Sequence, residues 1–351
     1  MKIVLLTRSL RGGGAEKVTS ILANEFSLLG HDVQVICFAD SQDEYPILPE
    51  VRIHRITNRL RLAAAFQLRN VIKKTRPDLT ISLGSKYDLV LLSGIMRKNF
   101  VILSERNEPS SFYKSRLILE ITRYCYKKSA GVVFQTNEAR NYFKELPAAT
   151  TTIIKNPVAS DLPRWNGPPG SQTVITFGRL EPQKNLGILI NAFQKFQQDF
   201  SEYKLHIYGN GSQHEYLTEK VKSLDLEKSV SIFDATVDIH HIVAGSTIYV
   251  NSSEYEGISN SLLESLCMGV PSIATDSLGG GSRELIDDGV NGFLVPRNDV
   301  ERLAIAMKEL ASDEHLQTRF SRRASSLQTK LTPSAISLEW LRFADEIRPK
   351  K

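Results

Sequence analysis

Two carboxylates stand with seven residues between them in Glu256-Gly257-Ile258-Ser259-Asn260-Ser261-Leu262-Leu263-Glu264. Such a pair can accept hydrogen bonds from adjacent hydroxyls, as on a ribose or a hexose. The backbone N–H groups from Gly257 to Ser261 open a helix and suit an anion. A second stretch, Gly178-Arg179-Leu180-Glu181-Pro182-Gln183-Lys184-Asn185, carries two cations that together could hold a diphosphate, Arg179 as a fork and Lys184 as a point charge. Plainer readings stand beside both. Ser261-x-x-Glu264 fits a capping box, Glu256 fits a solvated loop carboxylate, and Arg179 or Lys184 taken alone fits a surface charge.

Three further glycine stretches follow apolar runs. Gly12-Gly13-Gly14-Ala15-Glu16-Lys17 lets a backbone approach a ligand. It fails as a dinucleotide fingerprint because Lys17 takes the third glycine's place, and it is no P-loop. Tyr208-Gly209-Asn210-Gly211-Ser212 could lie along a nucleotide, and Gly279-Gly280-Gly281-Ser282-Arg283-Glu284 precedes another helix. Each of the three is also readable as a structural turn. No Asp-x-Asp occurs, no His/Cys group has metal spacing, and no Gly-x-Ser-x-Gly elbow is present. His240-His241 reads as an exposed pair near a helix start.

The elements that must position these residues alternate strand and helix. Strands are expected at 3–7, 32–38, 51–56, 78–83, 100–104, 131–135 and 151–155, with a helix over 15–29 closed by Gly30. Residues 156–172, with Pro157, Pro163, Pro168, Pro169, Gly167 and Gly170, read as a linker. The pattern restarts with strands at 173–177, 203–208, 230–233, 247–250, 271–274 and 292–295, and ends helical over 299–347. Asn185 is expected to cap a helix whose apolar face is Leu186, Leu189, Ile190, Phe193 and Phe196. Repeated βα units predict parallel sheets covered on both faces, whose ligands gather at the carboxyl ends of strands. Glu256 would then lie on a loop and Glu264 on the first helical turn.

At 351 residues the chain is long enough for two domains. Its three cysteines have no paired spacing, which points to a reducing compartment and away from a disulfide or zinc framework. No run reaches membrane-span length, and the apolar N-terminus reads as a first strand. Charge is uneven: through Arg164 there are 25 Lys and Arg against 15 Asp and Glu, a net of +10, and the remainder has 19 against 24, a net of −5. The basic half includes Arg59, Arg61, Arg69, Lys73, Lys74 and Arg76 around Leu60, Leu62, Phe66, Leu68 and Ile72. A second cluster, Lys114, Arg116, Arg123, Lys127 and Lys128, frames Leu117, Ile118, Leu119 and Ile121. Both are expected to meet an anionic membrane surface, although a helix packed on a sheet also shows one apolar and one charged face.

Taken together, Gly12 to Glu16, Gly178-Arg179 with Lys184-Asn185, Glu256-x7-Glu264 with Gly269-x-Pro271, and Asp288 to Pro296 resemble the family-four retaining glycosyltransferases of GT-B fold. The resemblance runs over nearly the whole chain. Ser104-Glu105-Arg106-Asn107-Glu108-Pro109 is similar to the branch that builds bacterial surface polysaccharides and lipid-linked oligosaccharides. It implies an α/β architecture of two Rossmann-like domains facing a cleft. Residues 1–165 would bind acceptor, 173–332 would bind the nucleotide-sugar donor, and a helix in 333–351 would cross back to the first domain.

The resemblance also implies roles. Arg179 and Lys184 would bind the donor diphosphate, and Glu256 the donor sugar. Gly178, Gly209 and the backbone of Gly257, Ile258, Ser259 and Asn260 would contact the donor, and Glu264 the ribose. Gly13 and Gly14 would close on diphosphate or acceptor. Where many relatives carry a histidine beside the reacting carbon, this chain has Glu105-Arg106, so Glu16, Glu105 and Arg106 are the acceptor-side candidates. The implied activity is transfer of a hexose or N-acetylhexosamine from a UDP-sugar to a growing, lipid-linked glycan. It would need no metal and no cofactor, and would run in the cytoplasm at the inner face of the membrane, with no nucleic-acid partner. A nucleotide-sugar epimerase or another GT-B enzyme is the alternative, and a non-enzymatic glycan-binding protein a more distant one.

Overall fold

A computed structural model describes every residue except 41–43, 59, 85–86, 168–170 and 349–351. Arg59, Pro168, Pro169 and Gly170, named above, lie outside the described residues. The chain divides into two compact units, Met1–Ala159 with Leu331–Lys351, and Ser160–Lys330.

In the first unit seven strands form one parallel sheet: β1 (Lys2–Thr7), β2 (Asp32–Cys37), β3 (Arg52–Arg55), β4 (Leu79–Ser82), β5 (Val101–Ser104), β6 (Gly131–Phe134) and β7 (Thr151–Ile153). Their order is β3-β2-β1-β4-β5-β6-β7. β1 is an interior strand, pairing Leu5 with Val35 on one side and Ile81 on the other. Apolar side chains on both of its faces suit a strand buried twice over. The helices are α1 (Gly14–Leu28), α2 (Arg61–Thr75), α3 (Tyr87–Ser93), α4 (Pro109–Phe112), α5 (Arg116–Lys128) and α6 (Asn137–Tyr142). α2, α3 and α5 cover the face that presents Val4, Leu6, Val101 and Leu103. Leu68 and Ile72 of α2 join that core, but Leu60, Leu62 and Phe66 are exposed, as are Leu117 and Ile118 of α5.

The second unit has a six-stranded parallel sheet of β8 (Thr173–Phe177), β9 (Lys204–Tyr208), β10 (Val230–Phe233), β11 (Ile248–Asn251), β12 (Ser272–Thr275) and β13 (Phe293–Val295). Its order is β10-β9-β8-β11-β12-β13. The helices are α7 (Leu186–Gln197), α8 (His214–Ser223), α9 (Ile239–Ala244), α10 (Asn260–Met268), α11 (Val300–Ser312), α12 (Glu314–Ser325) and α13 (Leu327–Lys330). α7 packs on α11 through the face expected from its sequence, with Leu189, Ile190, Phe193 and Phe196 in the core. Residues between Ser160 and Gly167 are fastened to this unit rather than slack: Trp165 donates from its backbone to Met268 O at 2.8 Å and from Nε1 to Ser246 O at 2.8 Å.

After α13 the chain returns to the first unit. Val158 N donates to Leu331 O at 2.7 Å, and α14 (Pro333–Glu346), capped by Thr332 Oγ1, packs on α1. Ile336 and Trp340 are 1 % exposed. Truncating an aromatic side chain buried to that degree typically costs about 3–5 kcal/mol, so α14 is a structural part of the first unit.

Candidate active site

β8 and β11 are neighbours in the second sheet, and their carboxyl ends open into two loops that are latched together. Gln183 Nε2 donates to Tyr255 O at 2.8 Å, Glu254 N to Gln183 O at 2.9 Å, and Ser252 Oγ to Lys184 O at 2.8 Å. The latch brings two residues from opposite loops into contact. Lys184 Nζ donates to Glu256 Oε1, and their side chains are 14 % and 12 % exposed. Little water screens this pair, so each charge depends on the other. Ser253 Oγ lies 2.9 Å from Asn251 Oδ1 and 3.3 Å from Glu256 Oε1. Asn251 is buried at the end of β11, and its Nδ2 has no hydrogen-bond partner among the described residues.

Arg179 stands apart from this pair: it is exposed and makes no ion pair among the described residues. Gly178, Arg179, Lys184, Asn251 and Ser252 all border one small pocket at the strand ends. Two glycine turns prop the loops. A Cβ on Gly209 would run into Gly178 O, so β9's loop lies directly on β8's. A Cβ on Gly281 would run into Gly257 O, and the same turn pairs with the Glu256 loop through Glu256 N to Leu278 O at 2.9 Å. The stretch Gly279 to Gly281 therefore holds Glu256 in place from behind.

Asn185 takes the position before α7, but in a left-handed conformation with φ 48° and with no side-chain cap. Its Nδ2 donates instead to Asn298 Oδ1 at 2.8 Å. The capping expectation for Asn185 is corrected accordingly. A second correction concerns Glu264. α10 starts after Ser259, so Ser261 lies inside the helix and cannot be the cap residue of a capping box. Ser261 Oγ instead accepts from Tyr249 OH at 2.9 Å, and burial pushes that phenol's pKa up, keeping it a neutral donor. Glu264 falls on the second turn, not the first, with its side chain 8 % exposed.

Its oxygen Oε2 lies 2.8 Å from His240 Nε2. A carboxylate can only accept, so Nε2 carries the proton. His240 is edge-on to Phe177 at 6.3 Å between ring centres, while His241 is exposed. The reading of the two histidines as an exposed pair thus holds for His241 alone. Ile258 and Ser259 are buried, and Asn260 opens α10.

The description "Glycosyl transferases group 1" matches residues 161–327, and "Glycosyltransferase Family 4" matches residues 12–162. The chain belongs to these glycosyltransferases. Its relatives include the amylovoran biosynthesis glycosyltransferase AmsD of Erwinia amylovora, 26 % identical over 96 % of this chain and 97 % of that one. Another is a Campylobacter jejuni α-1,4-N-acetyl-D-galactosaminyltransferase, named for its diNAcBac-PP-undecaprenol-linked substrate, 24 % identical over 99 % of each chain. Among solved structures, Anabaena HepE in complex with UDP superposes with a TM-score of 0.85 at 19 % identity, covering 98 % of this chain and 100 % of that one. The fold is GT-B.

In the first unit of this glycosyltransferase, Gly13 precedes α1, and Glu16 turns back over it: a Cβ on Gly13 would collide with the Glu16 carboxylate. Glu16 is 7 % exposed, and its Oε1 lies 3.5 Å from Arg8 Nε. Gly14 is the first residue of α1. Glu105 is 1 % exposed and points into the unit. It accepts from Tyr113 OH at 2.5 Å, Tyr126 OH at 2.8 Å, the backbone of Arg106 and Asn107 at 2.9 and 3.0 Å, and Asn107 Nδ2 at 3.3 Å. Burial pushes its pKa up, and these donors pull it back. The donors around Glu105 all belong to the protein, so its carboxylate faces the interior of the unit.

Sequence reasoning missed the contacts of His240, Gln183 and Asn251. A histidine 24 positions before the carboxylate it contacts, on a different helix, carries no local signal. Gln183 lies inside the Gly178 to Asn185 stretch, but its reach to Tyr255 depends on two strands being neighbours. Among the described residues, no three His, Cys, Asp or Glu side chains gather to hold a metal, and no helix is long and apolar enough to cross a membrane.

Proposed function

We propose that this glycosyltransferase moves a hexose or N-acetylhexosamine, with retention, from a UDP-sugar to a growing lipid-linked glycan. The second unit binds the donor and the first the acceptor. The observation that carries the donor half is the Lys184–Glu256 pair at the carboxyl ends of β8 and β11, with Lys184 bordering the same pocket as Arg179, which makes no ion pair among the described residues. Transfer builds negative charge on the leaving diphosphate and positive charge on the anomeric carbon. Arg179, Lys184 and the N–H groups at the start of α10 meet the first, and the Glu256 carboxylate sits beside the second. The pairing holds Lys184 ready, so little reorganisation remains when charge develops. The leaving phosphate takes the acceptor's proton in a same-face attack, and no metal is required. Glu264, steadied by His240, takes the ribose hydroxyls. The UDP bound to Anabaena HepE and the undecaprenol-linked substrate of the Campylobacter relative support the nucleotide and the acceptor class.

The membrane half rests on the exposed Leu60, Leu62 and Phe66 beside Arg61 and Arg69, and on Leu117 and Ile118 beside Lys114 and Arg116. A helix that only covers a sheet turns its large apolar residues inward, as Leu68 and Ile72 do. Each cation near an anionic surface contributes roughly 1 kcal/mol, enough together for reversible docking.

The test is a panel of nucleotide sugars with extracted membrane lipids as acceptor, run with and without a chelator. UDP release and glycan transfer in both conditions are expected. Sugar interconversion without nucleotide release would favour an epimerase, and metal-restorable loss would overturn the metal-free clamp. Co-sedimentation with anionic but not neutral vesicles at low salt tests docking, and no sedimentation with either would leave a soluble acceptor.

A further inference from the structure

The carboxyl ends of β5, β6 and β7 lie side by side in the first unit's sheet, and Arg106, Gln135 and Asn156 follow them. Gln135 and Asn156 are 3 % and 2 % exposed, an uncommon position for two amides. Both are turned to the Arg106 guanidinium. Nη2 donates to Asn156 Oδ1, Nη1 reaches Ser104 Oγ at 3.4 Å, and with the Gln135 amide in its better-bonded orientation its oxygen lies 3.1 Å from Nη2.

The fork is thus aimed and braced by neutral oxygens only. Among the described residues no carboxylate comes within ion-pair distance of it. Glu105, its chain neighbour, spends its oxygens on two tyrosines and on the Arg106 and Asn107 amides, and Glu16 is engaged with Arg8. Burial pushes the guanidinium down to about 10, against the more distant pull of Tyr87, Glu16 and Glu105. Arg106 is half-buried, and drawing a cation part-way out of water without a counter-ion is unfavourable, whereas a purely structural brace could be made from another amide at less cost. The guanidinium has five N–H donors and few protein acceptors for them. It also stands where ligands of parallel sheets gather.

We propose that Arg106, braced by Gln135 and Asn156, is an oxyanion site that receives a phosphate or carboxylate group carried by the acceptor. The identity of the bearer as acceptor rests on the transfer reaction proposed above; the anion site itself does not. Guanidinium geometry suits either group, by two parallel N–H···O bonds. A phosphate would come from a lipid carrier and a carboxylate from an acidic sugar.

The experiment uses the full chain with its donor site filled by UDP, titrated by calorimetry with farnesyl diphosphate in one arm and glucuronic acid in the other. UDP titrated alone reports separately on the donor reading. The wild type is expected to bind one of the two anions, and which one identifies the source. Arg106→Gln, which keeps a donor for Asn156 but removes the charge, should weaken that binding at least tenfold, with Arg106→Lys in between. UDP affinity should be unchanged in both. Asn156→Asp guards against a folding defect in the arginine variants. It supplies the missing counter-charge beside an intact Arg106, so anion binding should fall tenfold or more while the melting temperature holds or rises. Failure of the wild type to bind either anion, or undiminished binding in Arg106→Gln and Asn156→Asp, would overturn the proposal.

Discussion

The carboxyl ends of the two sheets are built alike and charged differently. In the second unit, loops from β8 and β11 deliver a cation and a carboxylate to one another, Lys184 to Glu256, and leave Arg179 outside as an exposed cation. In the first unit, the carboxylate of Glu105 is drawn inward by Tyr113 and Tyr126, while the neighbouring Arg106 is braced by amides with no ion partner among the described residues. Parallel βα architecture places the loops, but it does not decide which way their charges face. That is decided by the donors and acceptors each loop meets: a latch of three hydrogen bonds in one unit, an aromatic cluster in the other. One arrangement pre-pairs its charges, and the other isolates a positive one.

The largest effect is expected where that pairing is broken. Lys184→Ala should lower kcat/KM on the order of a hundredfold, because it removes a cation from the point where leaving-group charge develops. It should also destabilise the fold by about 3 kcal/mol, since Glu256 is left poorly solvated and alone. Arg179→Ala should lose a similar factor in rate with no change in melting temperature, being exposed. Steady-state kinetics and thermal melts on the two variants sharpen the contrast between a paired and a free cation. Equal melting temperatures for both would mean the Lys184–Glu256 contact is dispensable to the fold.

A smaller effect is expected from the first unit, and on a different observable. Tyr126→Phe removes one donor from the buried Glu105 and should cost about 1–3 kcal/mol of stability without altering nucleotide binding. The loss should depend on pH. Burial raises the pKa of Glu105 and the tyrosine donor opposes that rise, so the donor favours the ionised form. Deleting it costs little while the carboxyl is protonated and more as pH climbs through the folded-state value. Denaturant titrations of wild type and variant at acidic and neutral pH give the difference, and a gap that narrows toward neutral pH would contradict the assignment.

How far these sites are legible in the sequence follows the same division. Strand and helix periods carry the parallel architecture, because doubly buried strands such as Lys2–Thr7 run apolar from Ile3 to Leu6 and α7 shows its core face at helical spacing. Arg179, Lys184, Glu256 and Glu264 are legible as charges at loop–helix junctions. Their partners are not, since the Lys184–Glu256 and His240–Glu264 contacts span 72 and 24 residues. Local rules mislead where tertiary contacts outweigh them. Ser261-x-x-Glu264 has the letters of a capping box, yet the helix begins earlier and His240 claims the carboxylate. Period alone groups Leu60, Leu62 and Phe66 with Leu68 and Ile72, although only the latter two reach the core.

The smallest effect, and the finest division, lies within the second unit. If Glu264 takes the ribose and Glu256 the sugar, their amide variants should separate two ligands. Glu264→Gln should weaken UDP and the UDP-sugar alike, by about tenfold, because a charged acceptor is exchanged for a neutral one. Glu256→Gln should leave UDP affinity nearly unchanged and impair the sugar donor. His240 touches Glu264 rather than a ligand, so its contribution should be indirect and smaller. His240→Ala is expected to weaken UDP about threefold, a fraction of the roughly 1.4 kcal/mol that a tenfold change represents. His240→Gln, whose amide can still donate toward Oε2, should recover most of that loss, whereas a residue that merely filled space would be rescued equally by leucine. Calorimetry with UDP and UDP-sugar across these four variants and His240→Leu distinguishes these cases. Equal losses for both ligands at Glu256, or a leucine at 240 that binds as well as glutamine, would undo the division of labour between the two carboxylates.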